Sequence, residues 1–166
     1  GSSGRIAFVG ESFPGLGSAD SDSRMDAPVV NKPLQELVSL DLSPYRVVTK
    51  SPYGSEETID VLMPAQARYS AWQGSLSIDT RPIGLDAGAM IELFNVQGFS
   101  NWREQGGLIM SSSLGREGVR RFYDPSGKTF PAFEIARDAF LAGNDILFMD
   151  DFVLDKSKDQ FDTVVA

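Results

Sequence analysis

Four short runs of almost unbroken apolar, β-favouring residues, at 5–9, 59–63, 107–110 and 144–149, most constrain what this chain can fold into. A strand with one wet face alternates apolar and polar residues. A continuous apolar run suits a strand covered on both faces, as in a parallel sheet flanked by helices. Each run is followed by helical sequence. Behind the first, residues 32–42 set Leu34, Leu37, Val38 and Leu42 on one helical face, with Pro33 suited to a first turn and Pro44 to a stop. Behind the second, residues 85–96 repeat the pattern with Leu85, Ala89, Ile91, Leu93 and Phe94. The third is followed by 116–123 and then by 131–142, where Pro131 opens the helix, Phe133, Ala136, Ala139 and Phe140 form the apolar stripe, and Gly143 ends it. The fourth is followed by 159–166, a truncated helix at best.

Strand then helix, four times over, predicts α/β architecture with right-handed crossovers. In a parallel β/α barrel, chemistry sits on the loops that leave the strand ends. Here those ends read Gly10-Glu11-Ser12, Pro64-Ala65-Gln66, Ser111-Ser112-Ser113 and Asp150-Asp151. Surface loops are polar in any case, so polarity alone does not make them a site. Four β/α units in 166 residues are half of the eight that close such a barrel, leaving either an open sheet or part of a barrel. Residues 1–4 read as a tag or linker remnant, and 5–166 as one domain.

What the chain lacks removes whole classes of function. It has 23 Asp plus Glu against 15 Lys plus Arg, a net charge of -8, which is the wrong sign for a surface that tracks nucleic-acid phosphates. Without Cys it has no disulfide, thiolate metal site or cysteine nucleophile. Without His it has neither the commonest neutral-pH acid/base nor the commonest transition-metal ligand, and no imidazole-based triad. No cofactor is expected. No apolar run approaches a membrane span and no basic-then-apolar leader is visible, so a soluble chain is expected, its compartment open.

The carboxylates nearest the predicted strand ends are Glu11, Asp20, Asp22 and the Asp150-Asp151 pair. Two carboxylates facing a sugar can cleave a glycosidic bond, one as acid and one as nucleophile or base, although solvated loop carboxylates are far commoner. Oxygen ligands in Ser18-Ala19-Asp20-Ser21-Asp22-Ser23 could hold a hard cation, but the Gly and distal Glu of a calcium loop are missing and a surface turn fits better. Ser111-Ser112-Ser113 could contain a nucleophile only with a Lys or carboxylate base, and Leu114 breaks any Gly-x-Ser-x-Gly elbow. Gly15-Leu16-Gly17 lacks the third glycine and the lysine of a phosphate-cradling loop. Trp72, Trp102, Tyr69 and Phe99 could stack on a sugar ring, with burial as the default for aromatics.

Taken together, Phe13-Pro14-Gly15-Leu16-Gly17, Asp22-Ser23-Arg24, Leu62-Met63-Pro64-Ala65-Gln66-Ala67-Arg68-Tyr69, Gly107-Leu108-Ile109-Met110-Ser111-Ser112-Ser113-Leu114 and Ala142-Gly143-Asn144-Asp145 closely resemble glycoside hydrolase family 3, most strongly its β-N-acetylhexosaminidase branch. The resemblance runs in order through essentially the whole chain after residue 4. It implies the later half of that family's catalytic (β/α)8 barrel, and hydrolysis of terminal β-linked N-acetylhexosamine or glucose as the ancestral activity.

The chain departs from the family pattern at the chemistry itself. Glu11-Ser12 stand where the resemblance implies Lys-His, Leu16 and Gln66 where it implies His, and Arg24 where it implies the His of an Asp-Ser-His acid/base loop. Ser112 takes the place of the aspartate nucleophile and Ser113 that of the next Asp. The resemblance thus assigns Ser112, Asp22 and Arg24 to catalytic positions and Glu11, Ser12, Gln66 and Ser113 to substrate contacts. Neutral Ser112 cannot form the glycosyl ester of a retaining mechanism as an Asp does. Arg24 stays protonated and cannot shuttle protons. The expectation is a half-barrel that retains the family frame without its glycosidase machinery, removed by nature or by design, with a structural or sugar-binding role. The rival is a working hydrolase that uses Glu11 or Asp22 in new roles, with a partner chain supplying missing contacts. Unpaired strand edges at 5–9 and 144–149 predict a two-fold dimer that completes a barrel; the alternative is a monomer whose segments 43–58 and 70–82 cover its inner face. No nucleic acid or membrane partner is expected.

Overall fold

The computed structural model describes residues 6–21, 26–52 and 54–149. Three parallel strands form the central sheet: β1 (Val9–Phe13), β3 (Val61–Pro64) and β5 (Leu108–Ile109), in the order β1-β3-β5. A second, two-stranded parallel sheet pairs β2 (Val29–Val30) with β4 (Arg68–Tyr69). The parallel ladders and the intervening helices make this an α/β fold, as the apolar runs predict.

The strands differ from expectation at both edges. The first was expected at 5–9 and forms at Val9–Phe13 instead, so Glu11 and Ser12 lie within the strand rather than in a loop beyond it. Upstream, contact with β3 begins where Asp60 and Val61 donate their backbone N–H groups to the Phe8 carbonyl. The run at 144–149 forms no regular strand among its residues. It lies extended beside β5 through one parallel bridge, Met110 to Ile146, with Ser111 N donating to Ile146 O at 2.9 Å. The Asp150-Asp151 pair and residues 159–166 lie outside the described residues.

Helix α1 (Leu34–Glu36) follows Pro33 and widens into a π-helical turn, Leu37–Asp41, that buries Leu37. Pro44 does not stop the chain. It sits in the first turn of another helix, α2 (Ser43–Val48), where a proline's missing N–H would have had no intrahelical partner anyway. Helix α3 (Ser70–Gln73) follows β4. The helix expected at 85–96 is shorter, α4 (Ala87–Phe94), because the Asp86 side chain accepts from Ala89 N and caps it, leaving Ile83–Leu85 as a 3-10 turn. Helix α5 (Phe99–Glu104) was not anticipated; α6 (Glu117–Tyr123) and α7 (Ala132–Leu141) match closely. The buried face of α7 is Ala132, Ile135, Ala136, Asp138 and Ala139, leaving Phe133 and Phe140 exposed. Small alanines bring this helix close to its neighbours, while the large aromatics of the predicted stripe point away. Likewise α4 buries Ala89, Met90 and Leu93 and exposes Ile91.

The main core gathers around Phe13, whose ring centroid lies 5.0 Å from Tyr45, 5.4 Å from Phe94 and 5.0 Å from Phe99. Tyr69, Phe99 and Trp102 are buried in this core and are not free to stack on a sugar. Trp72 is half-buried, edge-on to Tyr69. Trp102 donates its indole N–H to Ile59 O at 3.0 Å, and its ring crosses directly over Gly107. A Cβ at Gly107 would fall 2.2 Å from the indole. Gly107→Ala should therefore lower stability by about 1–3 kcal/mol through overpacking, read as a reduced urea midpoint with an unchanged slope.

Candidate functional site

The carboxyl ends of β1, β3 and β5 lie side by side, and three of the candidate residues, Gln66, Ser112 and Ser113, meet there. Ala65 N donates to Phe13 O at 2.7 Å, tying the first two strand ends together. The Ser112 hydroxyl, in a buried residue, donates to Pro64 O at 2.7 Å. The Gln66 side-chain amide donates to Ser113 O at 2.5 Å, while its Oε1 is buried with no partner. Ser111 accepts from Phe148 N at 2.9 Å through its hydroxyl oxygen. Gln66, Ser112 and Ser113 thus form one buried polar cluster whose hydrogen bonds mostly stitch neighbouring strand ends. Nothing among these contacts acts as a base for Ser112.

Glu11 and Ser12 stand apart from this cluster. The Glu11 side chain is exposed, and the Tyr45 hydroxyl donates to its backbone carbonyl at 2.8 Å. Burial pushes the Tyr45 hydroxyl up from its ordinary pKa, with the Glu11 carboxylate adding to the shift. Ser12 has φ of 63°, in the left-handed region uncommon for a residue with a side chain. The pairing register with β3 slips between Gly10 and Phe13, so strict alternation fails there. Phe13 consequently enters the core while Glu11 faces out.

The loop residues of the resemblance have structural tasks. The Tyr69 hydroxyl donates to Gly15 O at 2.8 Å, and its burial strongly favours the neutral phenol. Gly15 has φ of 129°, which a side chain would strain. Arg68, buried in β4, donates to Thr80 O at 2.7 Å, Ala27 O at 3.0 Å and Ile78 O at 3.2 Å. Asn144 donates its amide to Gly84 O at 2.9 Å and Ala139 O at 2.7 Å. Asp145 accepts a two-pronged pair from Arg103 at 2.6 and 2.7 Å and also holds Ile109 N. Asp20 accepts from Val29 N and the Ser21 hydroxyl. Asp22, Ser23 and Arg24 lie outside the described residues. Among the described residues no group of three or more His, Cys, Asp or Glu could hold a metal ion, and no helix is long and apolar enough to cross a membrane.

The sequence pattern includes Arg68 without a role for it and does not single out Arg103 or buried Asp138. Asp138 accepts from Tyr123 and pairs with Arg81 and Arg137. A carboxylate on the alanine face of α7, one turn beyond Ile135, was the available signal for Asp138.

No family model matches the chain. A beta-hexosaminidase of Shewanella frigidimarina is 29% identical over 141 residues, which are 84% of this chain and 36% of that protein. One of Tolumonas auensis is 31% identical over 112 residues, 67% of this chain and 28% of that protein. The structure of NagZ from Neisseria gonorrhoeae with N-trifluoroacetyl-D-glucosamine aligns at a TM-score of 0.61 and 26% identity, over 93% of this chain and 35% of that one. The chain is related to the family 3 glycoside hydrolases. A family 3 beta-N-acetylglucosaminidase from Paenibacillus shares the fold, at a TM-score of 0.68 and 20% identity over 96% of this chain and 26% of that one. The chain spans about a third of the length of these curated relatives.

The Ser112 geometry generates a stability test that needs no substrate. Ser112→Ala removes a buried donor and should cost about 1 kcal/mol. Ser112→Asp should cost more, about 2–3 kcal/mol, because it sets carboxylate oxygens against the Pro64 carbonyl. Urea midpoints should fall in the order wild type, Ser112→Ala, Ser112→Asp.

Proposed function

We propose that this chain is a barrel segment of the family 3 type that keeps the strand frame and lacks glycoside hydrolysis, serving a structural or sugar-holding role. One observation carries this reading: the residue at the nucleophile position, Ser112, is buried and donates its hydroxyl to a backbone carbonyl. A group so engaged is neither ionised nor aimed at an incoming anomeric carbon. Aryl β-N-acetylglucosaminide and aryl β-glucoside should be hydrolysed no faster than in buffer. The pair Ser112→Asp with Arg24→His should not restore turnover, since Glu11-Ser12 and Gln66 still replace family contacts. Turnover that Glu11→Gln or Asp22→Asn abolishes would overturn the inactive reading in favour of a hydrolase with reassigned carboxylates.

In this reading the sheet is half of a (β/α)8 barrel, and a two-fold pair of chains closes it. The outer edge of β1 has no partner among the described strands, and Phe8, Val9, Ile146 and Leu147 expose apolar surface near the two edges. Each first strand would meet the partner's last, in parallel, about an axis along the barrel. Of the two segments a self-covering monomer would use, residues 43–48 form α2, whose Tyr45 packs on Phe13 beside Phe94 and Phe99. Sedimentation at micromolar concentration should give about twice the 18.1 kDa chain mass. A concentration-independent single-chain mass would exclude the dimer.

A further inference from the structure

At the opposite end of the sheet from Ser112 lies a cleft that the glycosidase frame leaves unexplained. Ile59 N donates to Val48 O at 2.9 Å, bringing the end of α2 to the start of β3, and Trp102 of α5 reaches the same Ile59. Between the end of α2 and the turn from α4 to α5 is a cavity of about 360 Å³ lined by Arg46, Thr49, Lys50, Gln97, Gly98 and Asn101. Two side chains there are cations, two are amides, and no carboxylate contributes to the wall.

The Arg46 and Lys50 side chains make no ion pair or hydrogen bond with any described residue, although the chain carries 23 carboxylates against 15 cations. The Arg46 Nε is moreover buried without an acceptor, which costs free energy until one arrives. Its stem runs past Gly98, whose φ of 110° suits only glycine, with Arg46 Cγ 3.9 Å from where a Cβ would stand. Thr49 is wall rather than donor, because its hydroxyl already donates to Tyr45 O. A guanidinium fork, an ammonium and two amides offer more donors than a single carboxylate accepts, and match the several oxygens of a phosphate. The volume exceeds that of the bare anion and lies at the small end of metabolite sites.

We propose that this cleft binds a phosphate group, either free or carried on a small ester, at a site separate from the carboxyl ends of the strands. Phosphate binding in this cleft does not depend on whether the chain hydrolyses glycosides.

The test is backbone-amide NMR of the full chain titrated with sodium phosphate, glycerol 3-phosphate and, at matched ionic strength, sodium chloride. Saturable shifts at Lys50, Gln97, Gly98 and Asn101 with either phosphate and not with chloride are expected. Tighter binding of the ester identifies an esterified ligand, and tighter binding of inorganic phosphate identifies the free anion. Arg46→Met, which keeps the packed stem, should weaken binding at least tenfold, and Lys50→Met, at an exposed position, several-fold. Equal shifts in chloride, or unchanged affinity in Lys50→Met and in a folded Arg46→Met, would overturn the proposal.

Discussion

The burial of one ring, Phe13, at the end of β1 organises the main core. Tyr45, Phe94 and Phe99 reach it from three separate helices, so the strand end and the helical layer are fixed at a single point. Aromatic pairs at such separations add directional preference to the apolar area they remove from water. Phe13 reaches this position because the backbone at Ser12 enters the left-handed region and slips the register by which β1 meets β3. Conformational strain at one residue is thereby balanced by burial at the next.

The same economy governs the adjacent strand ends. Ser111, Ser112 and Gln66 hold backbone atoms of adjacent segments, and Asn144, Asp145 and Arg68 do so farther out. Groups that could have addressed a substrate are engaged as internal fasteners. A site assembled from carboxylates would repel itself when empty and would need compensating cations. Neutral serines and an amide remove that electrostatic conflict and leave one buried oxygen of Gln66 without a partner.

How much of this was legible in the sequence depends on which force decided each element. The strands at 59–63 and 107–110 were readable because burial on both faces demands unbroken apolar residues. The end of β1 was not, since nothing in Glu11-Ser12-Phe13 announces a left-handed serine. Pro44 misled because proline ends one helix and begins another with equal ease. Phe133 and Phe140 misled because hydrophobicity ranks an aromatic above an alanine, whereas close helix packing on α7 selects the alanines. The resemblance was readable through Phe13, Gly15, Tyr69, Asn144 and Asp145, of which Phe13 anchors the main core, Tyr69 and Asn144 bond backbone carbonyls, and Asp145 holds Ile109 N beside its pair with Arg103. The candidate site was readable in position and not in bonding, because no residue pattern reveals that a serine hydroxyl meets a carbonyl on the neighbouring strand.

Arg68 carries a consequence for motion. Its single guanidinium grips the carbonyls of Ile78 and Thr80 on one stretch and of Ala27 on another. A neutral side chain could release one stretch and keep the other, but a buried cation that loses any acceptor is left poorly solvated. The two stretches therefore open and close as one cooperative unit, and the rim of the strand ends behaves as a joined collar instead of a set of independent loops.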